Sequence, residues 1–188
     1  MKMRKNLMGV VLAGALAAAA LSGCSNPQKA GTEALEAGDY EEAKTQFQSL
    51  AGSDDKDRAA AGYRGLGMTY YEMEDYTSAL ESFQQAVDNG AEQTTQLYNL
   101  MGICAMQNGD YASALEYIQS GLALADSTGD GAGESTDAEL IRQMRYNEII
   151  CYEQQADWES AKQKASEYLA DYPDDEEMQK EAEFLETR

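Results

Sequence analysis

The chain has 188 residues, 34 Asp and Glu against 14 Lys and Arg, a formal net charge of −20 and no histidine. Without histidine there is no Ser-His-Asp or Cys-His catalysis, no imidazole metal site and no ordinary near-neutral proton shuttle. The acidic balance argues against nucleic acid or an anionic membrane face as a partner held by charge, and two prolines with 43% hydrophobic residues argue against a wholly disordered chain.

Residues 1–23 read as an address rather than a fold. Lys2, Arg4 and Lys5 form a positive start, and Met8 to Leu21 is an almost unbroken apolar run. That run has the length of a secretory h-region and falls short of the roughly 20 residues a transmembrane helix needs. It ends in Leu21-Ser22-Gly23-Cys24, which resembles the lipobox of bacterial lipoproteins. The resemblance implies cleavage before Cys24, a diacylglyceryl group on its thiol, and a short tether over 24–27. It also implies an extracytoplasmic protein anchored to a membrane by lipid. Removing the leader takes away three cations and no acid, so only the acyl chains could hold such a body at a membrane.

Beyond the tether, four strings align: Glu36-Ala-Gly-Asp-Tyr-Glu-Glu-Ala43, Glu72-Met-Glu-Asp-Tyr-Thr-Ser-Ala79, Gln107-Asn-Gly-Asp-Tyr-Ala-Ser-Ala114 and Gln154-Gln-Ala-Asp-Trp-Glu-Ser-Ala161. Their aromatic residues, Tyr40, Tyr76, Tyr111 and Trp158, set a period close to that of a helix–turn–helix repeat, with extra residues before the fourth. Asp39, Asp75, Asp110 and Asp157 are suited to cap the second helix of each pair, and Asp39 with Glu42 is a capping-box variant. Apolar stripes follow at helical spacing, as in Tyr76, Ala79, Leu80, Phe83, Ala86 and Val87. Before the strings, Tyr63, Leu66, Gly67 and Tyr70, then Tyr98, Met101, Gly102 and Ala105, mark the first helices. Glycine recurs 12 residues before alanine, as Gly31 with Ala43, Gly67 with Ala79 and Gly102 with Ala114. The pairing predicts close approach of two antiparallel backbones.

The run Leu66-Gly67-x-x-Tyr70 through Tyr76, Ala79, Phe83 and Ala86 makes the chain similar to tetratricopeptide-repeat proteins. The fourth copy departs from the pattern, with Ile149 in the glycine column and Ala165 in the phenylalanine column. The resemblance implies an all-α, right-handed solenoid of about four repeats, at 28–57, 58–92, 93–125 and 137–173, and residues 174–188 as a C-terminal capping helix. Asp174 is expected to cap that helix, and Met178, Ala182 and Leu185 to form its apolar stripe.

The resemblance further implies a non-enzymatic scaffold that takes a peptide or helix in a groove lined by the first helices. The face turned away from the packing stripe then carries Arg64, Met68, Tyr71, Asn99, Ile103, Met106, Tyr146 and Ile150. Methionine, isoleucine and tyrosine suit an adaptable, mainly apolar groove. No Lys or Arg lies between Arg64 and Arg142, although that stretch holds Glu72, Asp75, Glu81, Asp88, Asp110 and Glu116 among other acids. A one-signed field of this kind would steer a partner with a basic segment. The partner class is therefore an envelope or secreted protein, with no nucleic acid, no small-molecule substrate and no cofactor. Self-assembly and envelope-complex assembly are the alternatives.

Three weaker features complete the inventory. Asp126, Thr128, Asp130, Glu134 and Asp137 fall at positions of a calcium loop, but the last ligand is the short Asp and a glycine replaces the usual apolar residue, so a flexible linker over 126–137 is expected and no metal. Cys104 and Cys151 occupy one column of consecutive repeats, too far apart to bridge, and are expected as buried free thiols. Glu148 and Glu153 could pair for acid–base work only by the chance that a high density of acids provides.

Overall fold

A computed structural model describes residues 26–128 and 135–188. Among these residues every regular element is helical: α1 (Pro27–Glu36), α2 (Tyr40–Ala51), α3 (Lys56–Glu72), α4 (Tyr76–Asp88), α5 (Thr95–Gln107), α6 (Tyr111–Thr128), α7 (Ser135–Gln154), α8 (Trp158–Asp171) and α9 (Glu176–Leu185). They form four consecutive hairpins and a final single helix. The leader, Cys24, Asp130 and Glu134 lie outside the described residues. The expected 126–137 linker is shorter than its sequence suggests, because α6 continues to Thr128 and α7 begins at Ser135.

The four aspartates work twice. Each backbone N–H closes the preceding helix with a long-range bond to the carbonyl five residues back: Asp39 to Ala34, Asp75 to Tyr70, Asp110 to Ala105 and Asp157 to Tyr152, all at 2.9 Å. Their side chains then accept N–H bonds three residues on, from Glu42, Ser78, Ser113 and Ser160. One residue thus ends one helix with a Schellman-type motif and begins the next with an N-cap. The residue before each aspartate must adopt positive φ. Gly38 and Gly109 do so at 75° and 77°, whereas Glu74 and Ala156 are held at 58° and 56°. The expected capping box at Asp39 is only half formed. The Glu42 carboxylate accepts instead from Gln46, and the Asp39 N–H is already engaged.

Glycine in the first helices makes room first for a bulky side chain, and at Gly102 the expected alanine is also near, its Ala114 carbonyl oxygen 3.7 Å from an added methyl. A methyl group at Gly31, Gly67 or Gly102 would meet Phe47, Phe83 or Ile118 at 2.8, 2.5 or 2.9 Å. The partner therefore lies 16 residues on. In the fourth hairpin the column is inverted, since Ile149 supplies the bulk and Ala165 the space, and both are fully buried in one cluster. Volume is conserved across the pair. A tighter backbone approach occurs at a further glycine: a side chain at Gly62 would strike the α2 backbone at Leu50 and Ala51.

Each hairpin packs on the next, and the core is a series of four apolar clusters along the stack. The last is closed by α9, whose Met178 and Leu185 are fully buried. Asp175, not Asp174, caps α9, accepting from the Glu177 and Met178 N–H groups. First helices also touch across repeats, α1 with α3 and α5 with α7, while no pair of second helices makes comparable contact. These contacts put first helices against each other at the two ends of the stack, while α3 and α5 in its middle do not meet as closely.

Candidate functional site

The expected groove residues all lie on first helices, and the structure divides them by burial. Arg64 is exposed, and Met68, Tyr71, Ile103, Met106, Tyr146 and Ile150 are half-buried. Met68 and Tyr71 lean on the cluster around Phe83 and Met101, and Tyr71 meets Tyr76 edge-on at 5.8 Å. Met106 packs against the cluster that holds Ile118 and Met144, and Tyr146 against the fourth cluster. These side chains therefore hold the stack together while presenting one edge outward.

Asn99 departs from the expectation. It is only 5% exposed, and its Oδ1 has no hydrogen-bond donor. An orphaned buried acceptor of this kind costs roughly 1–3 kcal/mol. Spacing assigned Asn99 to the open face with Arg64 and Tyr146. Packing of neighbouring helices over it was not legible from periodicity.

Electrostatics sharpen the same face. Every ion pair among the described residues lies between 29 and 44 or between 139 and 175. The acids of repeats two and three form no ion pair among the described residues, and α3 and α5 both end with no basic residue in the last turn, where the helix dipole is negative. Towards α9, Glu153 lies beside Glu181, with Glu177 also near Tyr146. Burial, then the Glu181 charge, pushes the Glu153 carboxyl up to about 7, and its Oε1 has no donor. Burial also raises the Tyr146 phenol, with these carboxylates adding to it.

Glu148 and Glu153 do not form a pair. Glu148 turns to the opposite side of α7, into a cleft of about 460 Å³ between α6 and α8. There it accepts from Gln119 at 3.0 Å and pairs with Lys164 at 3.5 Å. Arg145 and Asp171 form a second pair in that cleft. Nearby, Arg142 donates to the Tyr168 hydroxyl and to Asp175 at 3.0 Å, and Tyr168 donates to Asp175 at 2.7 Å. The hydroxyl and Arg142 hold the Asp175 carboxyl down at about 2. This knot ties α7, α8 and α9 together. The sequence reading missed it because its members share no periodicity.

Cys104 and Cys151 are buried and unpaired, and burial pushes both thiols up to about 12. They are packing residues rather than nucleophiles. Of the calcium-loop positions, Asp126 and Thr128 lie within α6, Asp137 lies within α7, and Asp130 and Glu134 are outside the described residues. No group of three metal-ligating side chains occurs among the described residues.

Comparison with solved structures returns the same architecture. YrrB, described as a TPR protein with an unusual peptide-binding site, superposes with a TM-score of 0.66 at 17% identity, covering 82% of this chain and 72% of that one. MamA from AMB-1 gives 0.61 at 12% identity, with 85% and 84% covered. PilW, described as a widely conserved type IV pilus biogenesis factor, gives 0.54 at 20%, with 78% and 61% covered. No curated protein matches the sequence. Tetratricopeptide-repeat profiles match residues 29–92, 64–128 and 145–175. With more than half its length matched and the helical hairpins in register, the chain belongs to the tetratricopeptide-repeat family.

Proposed function

We propose that the protein is a lipid-anchored, non-enzymatic scaffold that holds a peptide segment of an envelope or secreted protein against the inner face of its repeats. The observation that carries this reading is the row of half-buried Met68, Tyr71, Ile103, Met106 and Ile150 on the first helices, with the acids of α3 to α6 in no ion pair among the described residues. Such a surface suits a segment with apolar side chains and flanking Lys or Arg. Anchoring would come from acylated Cys24, whose setting in Leu21-Ser22-Gly23-Cys24 resembles a lipobox. A lipid anchor joined to the first repeat by a tether of a few residues would keep the face close to the membrane surface, on the extracytoplasmic side.

The structural likeness to a pilus biogenesis factor favours a role in assembling an envelope complex over self-assembly. Two experiments test the reading. Palmitate labelling of the expressed chain should be lost in Cys24→Ala. The tethered protein should lose the same interactor in both Met68→Glu and Ile103→Glu, with helicity retained. Unchanged capture would move the site off the inner face, and a concentration-dependent dimer that the same two substitutions dissolve would replace the scaffold with a self-assembling protein.

A further inference from the structure

The cleft between α6 and α8 carries charges that do not close. Its lining holds four carboxylates, Asp126, Glu148, Glu167 and Asp171, against two cations, Arg145 and Lys164. Arg145 is taken by Asp171. Lys164 is shared, with its Nζ 3.2 Å from Glu167 and 3.5 Å from Glu148. Asp126 is exposed and in no ion pair among the described residues. The contested carboxylate is the deep one. Glu148 is 4% exposed, and its Oε1 accepts from the Gln119 amide at 3.0 Å, while its Oε2 meets Lys164 only at the longer distance. A charge-assisted N–H···O bond closes to about 2.7–2.9 Å, so Oε2 faces a cation without a bond of that kind. A buried carboxylate is well placed only when it is both paired and hydrogen-bonded.

We propose that this cleft binds a short linear diammonium ion, with one ammonium group on Glu148 and the other at Asp126. Two positive charges match the excess of two carboxylates. An ammonium group brings three donors, enough to bond Glu148 Oε2 while Lys164 turns wholly to Glu167, which it already approaches more closely. Between the two ends, Leu122 of α6 and the Tyr168 ring of α8 give the methylene chain an apolar wall. The volume of about 460 Å³ is that of a small-molecule site. A metal ion would not meet the same need, since no three ligating side chains converge among the described residues.

The test titrates cadaverine into the full chain in mild detergent, at near-neutral pH and moderate salt, by calorimetry. Saturable single-site binding is expected, with pentylamine about tenfold weaker or worse and uncharged pentanediol silent. Asp126→Asn, a change to an exposed side chain outside every printed ion pair, should bring cadaverine down to the level of pentylamine. Lys164→Met strips Glu148 of its internal cation, so it should melt below wild type and bind cadaverine more tightly. Saturating cadaverine should then raise its melting temperature by more than it raises that of wild type. Equal binding of pentylamine and cadaverine would assign the cleft to a single ammonium, such as a lysine side chain. Binding that Asp126→Asn and Lys164→Met both leave unchanged would place the amine on the general acidic surface. No heat and no rescue would make the cleft a solvated ion-pair network. Each of these outcomes overturns the proposal, and none bears on the inner-face reading, which Met68→Glu and Ile103→Glu test.

Discussion

Glu153 shows how a single side chain sets a pH response. Its carboxyl is an ordinary one in the unfolded chain but is raised to about 7 in the fold, by burial first and by Glu181 second. Below about pH 4.5 both states carry the proton and the site is neutral in its effect. As pH climbs from there to about 7, the unfolded chain releases its proton and the folded chain retains it, so stability falls. Glu153→Gln should therefore raise the melting temperature at pH 8 and leave it unchanged at pH 4, a difference read from thermal melts at the two values. Asp175 runs the other way. Its carboxyl is lowered to about 2, so its contribution is complete above the usual carboxylate range and drains away as pH falls towards 2. Asp175→Ala should cost about 1 kcal/mol for the cap alone at pH 7. The cost should shrink in acid, as urea midpoints would record. A third residue-scale expectation concerns the turns. Ala156 holds a φ of 56° that Gly38 and Gly109 adopt freely in other copies. Left-handed backbone costs an L residue roughly 1–2 kcal/mol, so Ala156→Gly should stabilise by about 1 kcal/mol. None of the three was legible from sequence, for two different reasons. Glu153 and Asp175 owe their behaviour to neighbours 28 residues away and one helix away, and Ala156 looked like a tolerable alanine until its φ was known.

At the scale of elements, the hairpin is a volume rule written in two columns. Gly67 faces the Phe83 ring, and Ile149 faces the space left by Ala165. The exchange implies that either column can carry the bulk. Phe83→Ala alone should cost about 3–5 kcal/mol by leaving a cavity, and Gly67→Ile alone should cost at least about 1–3 kcal/mol by overpacking. Combined, they recreate the fourth-repeat arrangement, and the double variant should be more stable than the sum of the singles by more than about 1 kcal/mol. A double-mutant cycle by chemical denaturation checks it, and additive costs would mean the two columns do not compensate. Most of this level was readable beforehand: the four aspartate corners, the aromatic columns and the large-for-small exchange all lie in local spacing. What spacing could not decide was which residue the glycine faces. Residues 12 and 16 positions on both lie on the same stripe of the next helix, and only the offset of the two helices chooses the ring. The same limit explains the burial of Asn99, which its column did not foretell, and the cap of α9, where two adjacent aspartates were equally eligible.

The whole molecule is a line of neighbours rather than one core. Four apolar clusters run along the stack, and among the described residues each hairpin packs on its immediate neighbours, through the second helix of one and the first of the next and, at α1 with α3 and α5 with α7, through first helices as well. Stability in such an array is close to a sum of repeat and interface terms. The C-terminal end differs from the rest, because α9 is held by Met178 and Leu185 against Ile149 and Tyr168 and by the Arg142–Tyr168–Asp175 knot. Truncation before Asp174 would open that cluster to water and release Arg142 from its Asp175 partner. Amide hydrogen exchange should then show α7 and α8 losing most of their protection while α3 and α4 keep theirs. Protection lost evenly from α1 to α8 would mean that the stack unfolds as one cooperative body. The distinction bears on function, because the half-buried row spans α3, α5 and α7. If the ends loosen independently, repeats two and three would retain Met68, Tyr71, Ile103 and Met106 in place and still hold a short segment after α9 is gone. Only contacts reaching Tyr146 and Ile150 would be forfeited.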